Sequence, residues 1–145
     1  MPLDLFDWAD TRPPAAPVLD RAHRGSVGYH KGAAAEDAVV RHYARLGYTV
    51  LHRRWRGRAG EIDLVCRGPG GLVFVEVKSA RSFDAALSRI RPRQIARICA
   101  SAAEYAGGSL TEMRFDAALM DRAGRLRVIE NAFTFDDADT RFLPA

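Results

Sequence analysis

Two stretches of this sequence, RAGEIDLVC at residues 58–66 and LVFVEVK at residues 72–78, decide how the chain folds. Both are rich in Val, Ile, Leu or Phe, which favour β-strands. Residues 68–71 read Gly-Pro-Gly-Gly and form a turn signal between the two stretches. The sequence therefore predicts an antiparallel β-hairpin with residues 68–71 as its loop.

The polar residues of this hairpin fall on one of its faces. Around that loop, a regular register opposes Arg67 to Leu72, Asp63 to Glu76 and Glu61 to Lys78. Opposed residues on one face have Cβ atoms roughly 4.5–5.5 Å apart, where like charges are destabilising. The facing carboxylates therefore need a counter-charge, which either a divalent cation with oxygen ligands or the ammonium of Lys78 supplies.

Two interpretations of this acid pair compete. In the first, the hairpin is half solvated and carries a Glu61–Lys78 ion pair, since surface ion pairs are common and weak. The second, a catalytic site, is favoured by the apolar neighbours of Glu76, among which a charge is costly. It is also favoured by Lys78, one of two lysines beside twenty arginines. A lysine ammonium is a compact point charge that can contact a water or a phosphate.

The composition is that of a small basic protein. The chain has 145 residues, which suits a single domain, and 48% of them are hydrophobic, which is enough for a core. The net charge is +4, and nearly all of the cationic charge is arginine. Arginine binds phosphate through two parallel hydrogen bonds, so a polyanionic partner such as nucleic acid is expected.

The cysteines and the hydropathy pattern bear on the compartment. Cys66 and Cys99 have no metal-ligand spacing and are interpreted as buried thiols in a reducing compartment. No apolar run approaches the roughly 18 residues of a membrane-spanning helix, and no signal peptide is evident. We expect a cytoplasmic protein with no membrane partner.

Residues 1–26 differ from the rest of the chain. Closely spaced prolines interrupt any regular element there, so a flexible N-terminal tail is predicted. Its tip contains Leu3 and Phe6 and resembles the short peptide with which bacterial proteins dock on the DNA sliding clamp, with a proline where Gln is usual. The alternative is an incidental tail or a segment that packs on its own domain. Residues 135–145 are predicted to be a second tail.

A helix is predicted over residues 28–46. Apolar residues recur there at spacings of three and four, at Ala35, Val39, Tyr43 and Leu46. Gly47 follows as a stop signal. Glu36 lies beside the apolar stripe, where it is either a rim glutamate favoured by the helix dipole or a third acid that reaches toward Asp63 and Glu76.

A basic run follows the start of the first predicted strand, at residues 52–58. Arginines around a tryptophan suit phosphate contact and base stacking, whereas the alternative is a solvated strand end with Trp55 as a core residue. With two further arginines, the candidate nucleic-acid-binding residues are Arg53, Arg54, Trp55, Arg56, Arg58, Arg81 and Arg93.

The remaining elements are a helix and two strands. Residues 84–106 predict a long helix that is interrupted before Pro92, which suits the first turn of a second segment. Gln94 either reaches a phosphate or water near the acids or belongs to a solvated helix face. Alternating patterns over residues 112–120 and 125–133 predict two more strands.

This order of elements predicts an α/β fold for residues 27–134. Three strands form an antiparallel meander, and the long helix is a crossover to the fourth strand. We expect a three-layer-like α/β/α sandwich with a central mixed sheet, in the order α-β-β-β-α-β-β.

The same residues resemble a known family. The chain is similar to the YraN-like family of small bacterial proteins, which belongs by fold to the PD-(D/E)XK, restriction-endonuclease-like superfamily with archaeal Holliday-junction resolvases. The matching residues are Gly32, Ala35-Glu36, Ala38, Gly47-Tyr48, Gly60 to Val65, Val73 to Lys78, Arg93-Gln94, Arg114-Phe115-Asp116 and Asn131-Ala132-Phe133. Two positions depart from the family pattern: Arg54 stands where Asn is usual and Arg93 stands where Lys is usual.

The resemblance implies a site and a reaction. Asp63 and Glu76 would be ligands of Mg²⁺ or Mn²⁺, helped by the main-chain carbonyl of Val77. Lys78 would orient the attacking water and stabilise the transition state, with Glu36 as an accessory acid and Gln94 as an accessory polar group. The implied reaction is hydrolysis of phosphodiester bonds in DNA, on branched or flapped substrates, and the resolvase-like relatives suggest a homodimer.

Three functions are therefore weighed. The first is a metal-dependent endonuclease. The second is a nucleic-acid-binding protein that keeps the fold without turnover, and it predicts salt-sensitive binding that survives the loss of Lys78. The third is a replication or repair interaction factor that captures its partner through Phe6.

Overall fold

A computed structural model describes residues 27–108 and 112–138 of the chain. Their elements, in order, are α1 Val27–Arg45, β1 Thr49–Arg56, β2 Glu61–Gly68, β3 Gly71–Ser79, α2 Phe83–Leu87, α3 Pro92–Ala106, β4 Met113–Met120, β5 Leu126–Phe133 and a 3₁₀ helix Phe135–Asp137. The predicted α/β fold and the order of its elements are confirmed. The predicted tail at residues 1–26, with the clamp-like tip, lies outside the described residues, as do residues 139–145.

The five strands form one mixed sheet in the order β1-β2-β3-β4-β5. All neighbouring pairs are antiparallel except β3 and β4, which are parallel. A parallel neighbour requires a crossover connection, and α2 and α3 supply it, as the sequence predicts. The carboxyl ends of β3 and β4 therefore lie side by side at one edge of the sheet.

The helices end where their sequences predict. Gly47 follows α1 with a φ of +88°, a left-handed conformation that favours glycine. Pro92 opens α3 at its first turn, and Gly107, with a φ of +58°, closes it as a left-handed cap. The predicted interruption before Pro92 separates the short helix α2 from α3.

Helices α1 and α3 cover opposite faces of the sheet. On one face, Val39 and Tyr43 of α1 pack on Leu64, Cys66, Val73, Val75 and Ala118. On the other face, Ile95, Ile98, Cys99 and Ala102 of α3 pack on Val65, Phe74 and Phe115. The central strands thus bury both of their faces, which explains their nearly continuous apolar sequences.

The register of the central hairpin agrees with the prediction, but its turn is shorter. Arg67 pairs with Leu72, as predicted, while Gly68 and Gly71 pair with each other. The loop therefore consists of residues 69–70 rather than 68–71. Gly71 permits the tighter turn because its φ is +130°, and a Cβ there would lie 2.4 Å from the carbonyl oxygen of Glu112.

The packed region extends to the last described residues. Ala138 is buried in the cluster beneath α3, and the ring of Phe135 meets that of Phe115 edge-on at 5.3 Å. Packing therefore continues four residues beyond the boundary predicted at residue 134. Within the described ranges, no helix has the length and the apolar character needed to cross a bilayer.

The two thiols are expected to be unreactive in the folded protein. Cys66 and Cys99 are buried and unbridged. Burial raises the pKa of the Cys66 thiol to about 12 and that of the Cys99 thiol to about 11, which suppresses the reactive thiolate. An aromatic disulfide reagent should therefore label native protein very slowly and urea-unfolded protein at once. Fast labelling of native protein would contradict the burial of these side chains.

Candidate active site

A cavity of about 270 Å³ lies where β2 and β3 meet the first turns of α3. Its lining includes the predicted residues Asp63, Glu76, Val77, Lys78 and Gln94, together with Gly60, Glu61, Arg97 and Ile98. Side chains from two neighbouring strands and one helix therefore converge on a single space. The catalytic and metal-binding residues predicted from the sequence, apart from Glu36, all line it.

The centre of this cavity is a pair of carboxyl groups. Glu76 is only 5% exposed, and Asp63 is partly buried. The two carboxyl groups are close enough to shift each other's pKa. Burial is the main cause that raises the pKa of Asp63 well above its ordinary value, and the charge of Glu76 raises it further. Burial likewise raises the pKa of Glu76, against the opposing effect of Lys78. Both carboxyl groups therefore hold a proton more readily than an exposed carboxyl group does.

The local strand geometry presents Asp63 to its partner. The register between β2 and β3 extends to Leu64 opposite Val75, so Asp63 is the first residue beyond this ladder. The main-chain N–H of Val77 donates to Oδ2 of Asp63 at 2.8 Å. This side-chain acceptor takes the place of a strand carbonyl and fixes the carboxyl group beside Glu76.

Lys78 and Gln94 both contact the same oxygen of Glu76. Nζ of Lys78 lies 3.2 Å from Oε2 of Glu76, and Nε2 of Gln94 donates to that oxygen at 2.5 Å. Glu61 instead lies 3.4 Å from Arg56. The ammonium is thus held inside the cavity by Glu76, and Gln94 fixes the rotamer of the same carboxylate.

The loop that leads into β2 is anchored on α3. The N–H of Gly57 donates to the carbonyl of Gly60 at 2.9 Å, and the N–H of Arg58 donates to Oε1 of Glu104 at 2.9 Å. Gly60 has a φ of +153°, and a Cβ there would be within 4.0 Å of Arg97. These contacts set the wall of the cavity at the start of β2.

Glu36 lies near this cavity but outside its lining. Nε of Arg54 donates to Oε1 of Glu36 at 2.7 Å, and Arg53 lies 3.9 Å away. Burial raises the pKa of Glu36, and the charge of Asp63 adds to this effect. Arg54 adopts a left-handed φ of +53° in β1, a conformation uncommon outside glycine.

Among residues 27–108 and 112–138, no group of three His, Cys, Asp or Glu side chains is placed to hold an ion. The role of Glu36 as an accessory acid stays a prediction.

Most arginines of the basic run in β1 have acidic neighbours. Arg53 donates to Asp37 at 2.7 Å, Arg54 contacts Glu36, and Arg56 contacts Glu61. Trp55 packs edge-on against Tyr105 of α3, with ring centroids 5.2 Å apart, at the margin of the core. Of the other candidates, Arg58 and Arg93 are exposed, and Arg81 lines a separate cavity. Their contacts with nucleic acid stay predictions.

Two features of the structure are not predicted from the sequence, one in this cavity and one away from it. Arg97 lines the cavity but is not among the predicted site residues. Its position three residues after Gln94 is a usable signal, because such residues share a helix face. The second is a buried hydrogen-bond centre at Asp116, which is 0% exposed. Asp116 accepts from Tyr43 at 2.6 Å, from two nitrogens of Arg114 at 2.8 Å and from the N–H of Asn131 at 3.0 Å.

The Asp116 centre joins α1, β4 and β5. The hydrogen bonds from Arg114 to Asp116 raise the pKa of the Arg114 guanidinium, and Nη2 of Arg114 also donates to the Tyr48 hydroxyl at 3.2 Å. No periodicity in the sequence reveals this network, because Tyr43 fits the apolar stripe of α1 and Asp116 lies within an apolar strand.

Comparison with known proteins identifies relatives along most of the chain. The sequence model described as "Uncharacterised protein family UPF0102" matches residues 35–120. A UPF0102 protein of Ruegeria pomeroyi is 50% identical over 116 residues, which cover 77% of this chain and 94% of that protein. A UPF0102 protein of Roseobacter denitrificans is 48% identical over 118 residues, which cover 79% of this chain and 92% of that protein. The predicted YraN-like resemblance is thereby confirmed, and the chain belongs to the UPF0102 family.

Proposed function

We propose that this protein is a divalent-cation-dependent endonuclease that hydrolyses phosphodiester bonds in DNA. The observation that carries the proposal is the buried pair of Asp63 and Glu76 with the ammonium of Lys78 3.2 Å from one of its oxygens. A structural ion pair has no need of a second desolvated carboxyl group, because each such group costs free energy unless it is compensated.

The donor set fits a hard cation. Asp63 and Glu76 offer carboxylate oxygens, and the main-chain carbonyl of Val77 is the proposed third donor. Mg²⁺ is commonly held by one or two carboxylates, with waters and substrate phosphates as its other ligands, so a third protein carboxylate is not required. Mg²⁺ or Mn²⁺ bound here would neutralise phosphate charge and lower the pKa of a bound water.

The side chains around the pair have distinct proposed tasks. Lys78 offers a localised positive charge to the attacking water and to the charge that develops on the phosphate. Gln94 keeps Glu76 in one rotamer through its hydrogen bond to Oε2. Arg97 is an exposed cation at the rim of the cavity, where it can contact the phosphate of the incoming strand.

DNA is the proposed substrate, and a branched or flapped form is preferred on the basis of the family resemblance. A net charge of +4 favours a polyanion. The free thiols of Cys66 and Cys99 are compatible with a reducing compartment, and the cytoplasm is the proposed location.

Cleavage assays test this proposal directly. Purified protein should cut or nick at least one substrate in a panel of duplex, single-stranded, flapped and branched DNA when Mg²⁺ or Mn²⁺ is present. Asp63→Asn should be inactive on every substrate, since a neutral amide is a poor ligand for a hard cation. If wild-type protein leaves every substrate of the panel intact with both metals, the proposed nuclease activity is refuted.

The binding of Mg²⁺ should strengthen as the pH rises. Because the folded-state pKa of Asp63 is raised, this carboxyl group favours folding below its unfolded pKa and loses that contribution as the pH rises through its folded pKa. The cation binds the ionised pair, so its affinity should increase by up to about tenfold per pH unit from the ordinary carboxyl range near pH 4 up to the raised pKa of Asp63, and level off above it. Melting temperatures with and without Mg²⁺ across this range measure the effect.

The variant Asp63→Asn is the control for this linkage. Without metal at alkaline pH it should melt a few degrees above wild type, because it removes one charge from a buried pair. It should also lose the stabilisation by Mg²⁺. An unchanged response to Mg²⁺ would show that the cation binds elsewhere.

A further inference from the structure

A second cavity, of about 800 Å³, lies at the carboxyl ends of the parallel strands β3 and β4. Ser79 and Met120, which pair at these strand ends, both line it. In open α/β sheets, ligands commonly bind in the crevice outside the carboxyl ends of the strands. The position of this cavity is therefore that of a ligand site.

The lining of this cavity is strongly cationic. It includes Arg81, Arg89, Arg91 and Arg122, all of which are exposed. The one acid in the lining is Asp121, whose carboxylate accepts hydrogen bonds from Nε of Arg125 at 2.7 Å and from its N–H at 2.9 Å. Its charge is thus balanced by a residue outside the lining, and the four arginines face the cavity without a compensating acid there.

These arginines differ from those of β1. Within the part of the chain that the structure describes, no ion pair engages Arg81, Arg89, Arg91 or Arg122. Arg89 donates one N–H to the carbonyl of Ser79 at 3.0 Å, which anchors its guanidinium at the cavity wall. The arginines of β1 are largely balanced by acids, whereas these four offer their positive charge to a polyanion within a single cavity.

The cavity lies close to the candidate active site along β3, although the two share no lining residue. Ser79 follows Lys78 in the chain, and three residues from Lys78 to Arg81 span at most about 10 Å. A nucleic-acid strand cut beside Lys78 would therefore carry its neighbouring phosphates into the arginine-lined space.

The size of the cavity limits which form of nucleic acid can enter it. A sphere of about 800 Å³ is roughly 12 Å across, which is the width of the B-DNA major groove. A whole duplex is wider than its groove and is therefore too wide to enter the cavity. One sugar–phosphate strand fits, with Ala34, Ala80 and Ala85 as apolar contacts for its sugars and bases.

We propose that this cavity binds the backbone phosphates of an unpaired DNA strand that leaves the active site past Lys78. The inference rests on the proposed function and gives it a substrate class, namely DNA with a single-stranded arm beside the cleavage point. Guanidinium groups in a concave wall bind phosphate through charge-assisted hydrogen bonds, and the cavity walls strengthen that attraction.

Binding measurements without divalent cation test this inference apart from cleavage. The double variant Arg81→Gln with Arg122→Gln removes two cavity charges on exposed side chains. Its matched control, Arg45→Gln with Arg67→Gln, removes two charges near the β2–β3 turn, at the opposite end of the sheet. Both proteins are compared with wild type on a flapped DNA and on a duplex of the same sequence, over a range of salt concentrations.

The cavity variant should bind the flapped DNA about tenfold more weakly than wild type. The slope of log affinity against log salt concentration should be smaller by about 1.4, because each lost phosphate contact to a single strand removes about 0.7. Its affinity for duplex should stay within about twofold of wild type, and the control should match wild type on both substrates. Undiminished affinity for the flap, or an equal loss on flap and duplex, would overturn the inference. Tighter binding of an RNA arm than of a DNA arm would overturn the choice of DNA.

The same substrates separate this inference from the proposed function. If wild type cleaves with Mg²⁺ while the cavity variant keeps its affinity for the flap, the nuclease stands and the cavity site fails. If wild type binds the flap through the cavity but cleaves nothing, the site stands and the nuclease fails. If wild type binds no substrate, both fail.

Discussion

Replacing Lys78 with methionine should reduce DNA cleavage by about 10²–10³-fold while the fold stays intact, a loss typical of removing one transition-state-stabilising group. Methionine keeps most of the side-chain volume and removes the charge. The ammonium lies 3.2 Å from Oε2 of Glu76 on a side chain that is 24% exposed, so methionine leaves that position without its positive charge. The measurement is single-turnover cleavage at saturating Mg²⁺.

Saturating metal matters because Lys78 also acts on Glu76. Its charge lowers the pKa of Glu76, so its loss should weaken metal binding as well as slow the reaction. A loss of rate that persists when Mg²⁺ is raised to saturation belongs to the chemical step. A rate that recovers fully at high Mg²⁺ would limit Lys78 to tuning the metal site.

The chain offers a matched control in its only other lysine, Lys31 in α1. Lys31→Met makes the same change of charge and size and should leave cleavage unchanged. The variant Lys78→Arg keeps the charge but spreads it over a planar group, so it should recover only part of the rate. Full activity of Lys78→Met would remove Lys78 from the mechanism.

The second large effect is expected at Asp116, away from the candidate active site. Asp116→Ala should destabilise the protein by about 3–5 kcal/mol, because it leaves Arg114 without its buried partner. Four hydrogen bonds converge on this carboxylate, from Tyr43, Arg114 and Asn131. Their loss releases α1 and β5 from β4 together. For a domain of this size the melting temperature should fall by roughly 10 °C or more.

Urea unfolding of matched variants measures this effect. Asp37→Ala is the control, since it makes the same replacement at a 51% exposed side chain that pairs with Arg53, and it should cost less than about 1 kcal/mol. Tyr43→Phe removes one of the four hydrogen bonds and should cost about 1 kcal/mol. A stability for Asp116→Ala within about 1 kcal/mol of wild type would show that water replaces the lost carboxylate without penalty.

The hairpin shows how far sequence reasoning reaches. The opposition of Arg67 to Leu72 follows from a turn signal and the two-residue period of a strand, and it is present in the structure. The same register, counted outward from the turn, predicts that Asp63 lies next to Glu76 on the face of the hairpin that carries Lys78. The predicted turn is two residues too long. Glycines such as Gly68 and Gly71 can either pair in a strand or form its loop, and the sequence does not distinguish the two cases. The close approach of Gly71 to Glu112 in the fold does.

The arginines show where sequence reasoning stops. Along the chain, the run at residues 52–58 is the densest basic segment, and it was the natural candidate for a phosphate surface. In the fold, Arg53, Arg54 and Arg56 lie against acids from α1 and β2. The arginines that face a cavity without such partners are spread between residues 81 and 122 and carry no local signal.

The sequence by itself determined the α/β fold, the order of its elements along the chain, the ends of its helices and the acid pair with its lysine. These features depend on periodicity, turn residues and neighbours within one hairpin, all of which are local in the chain. Only the tertiary structure decided which cations are balanced, that Asp116 joins α1, β4 and β5, and that an arginine-lined cavity lies beyond Lys78. Charges and buried hydrogen bonds act through space, so their partners are set by the packing of distant segments rather than by spacing along the sequence.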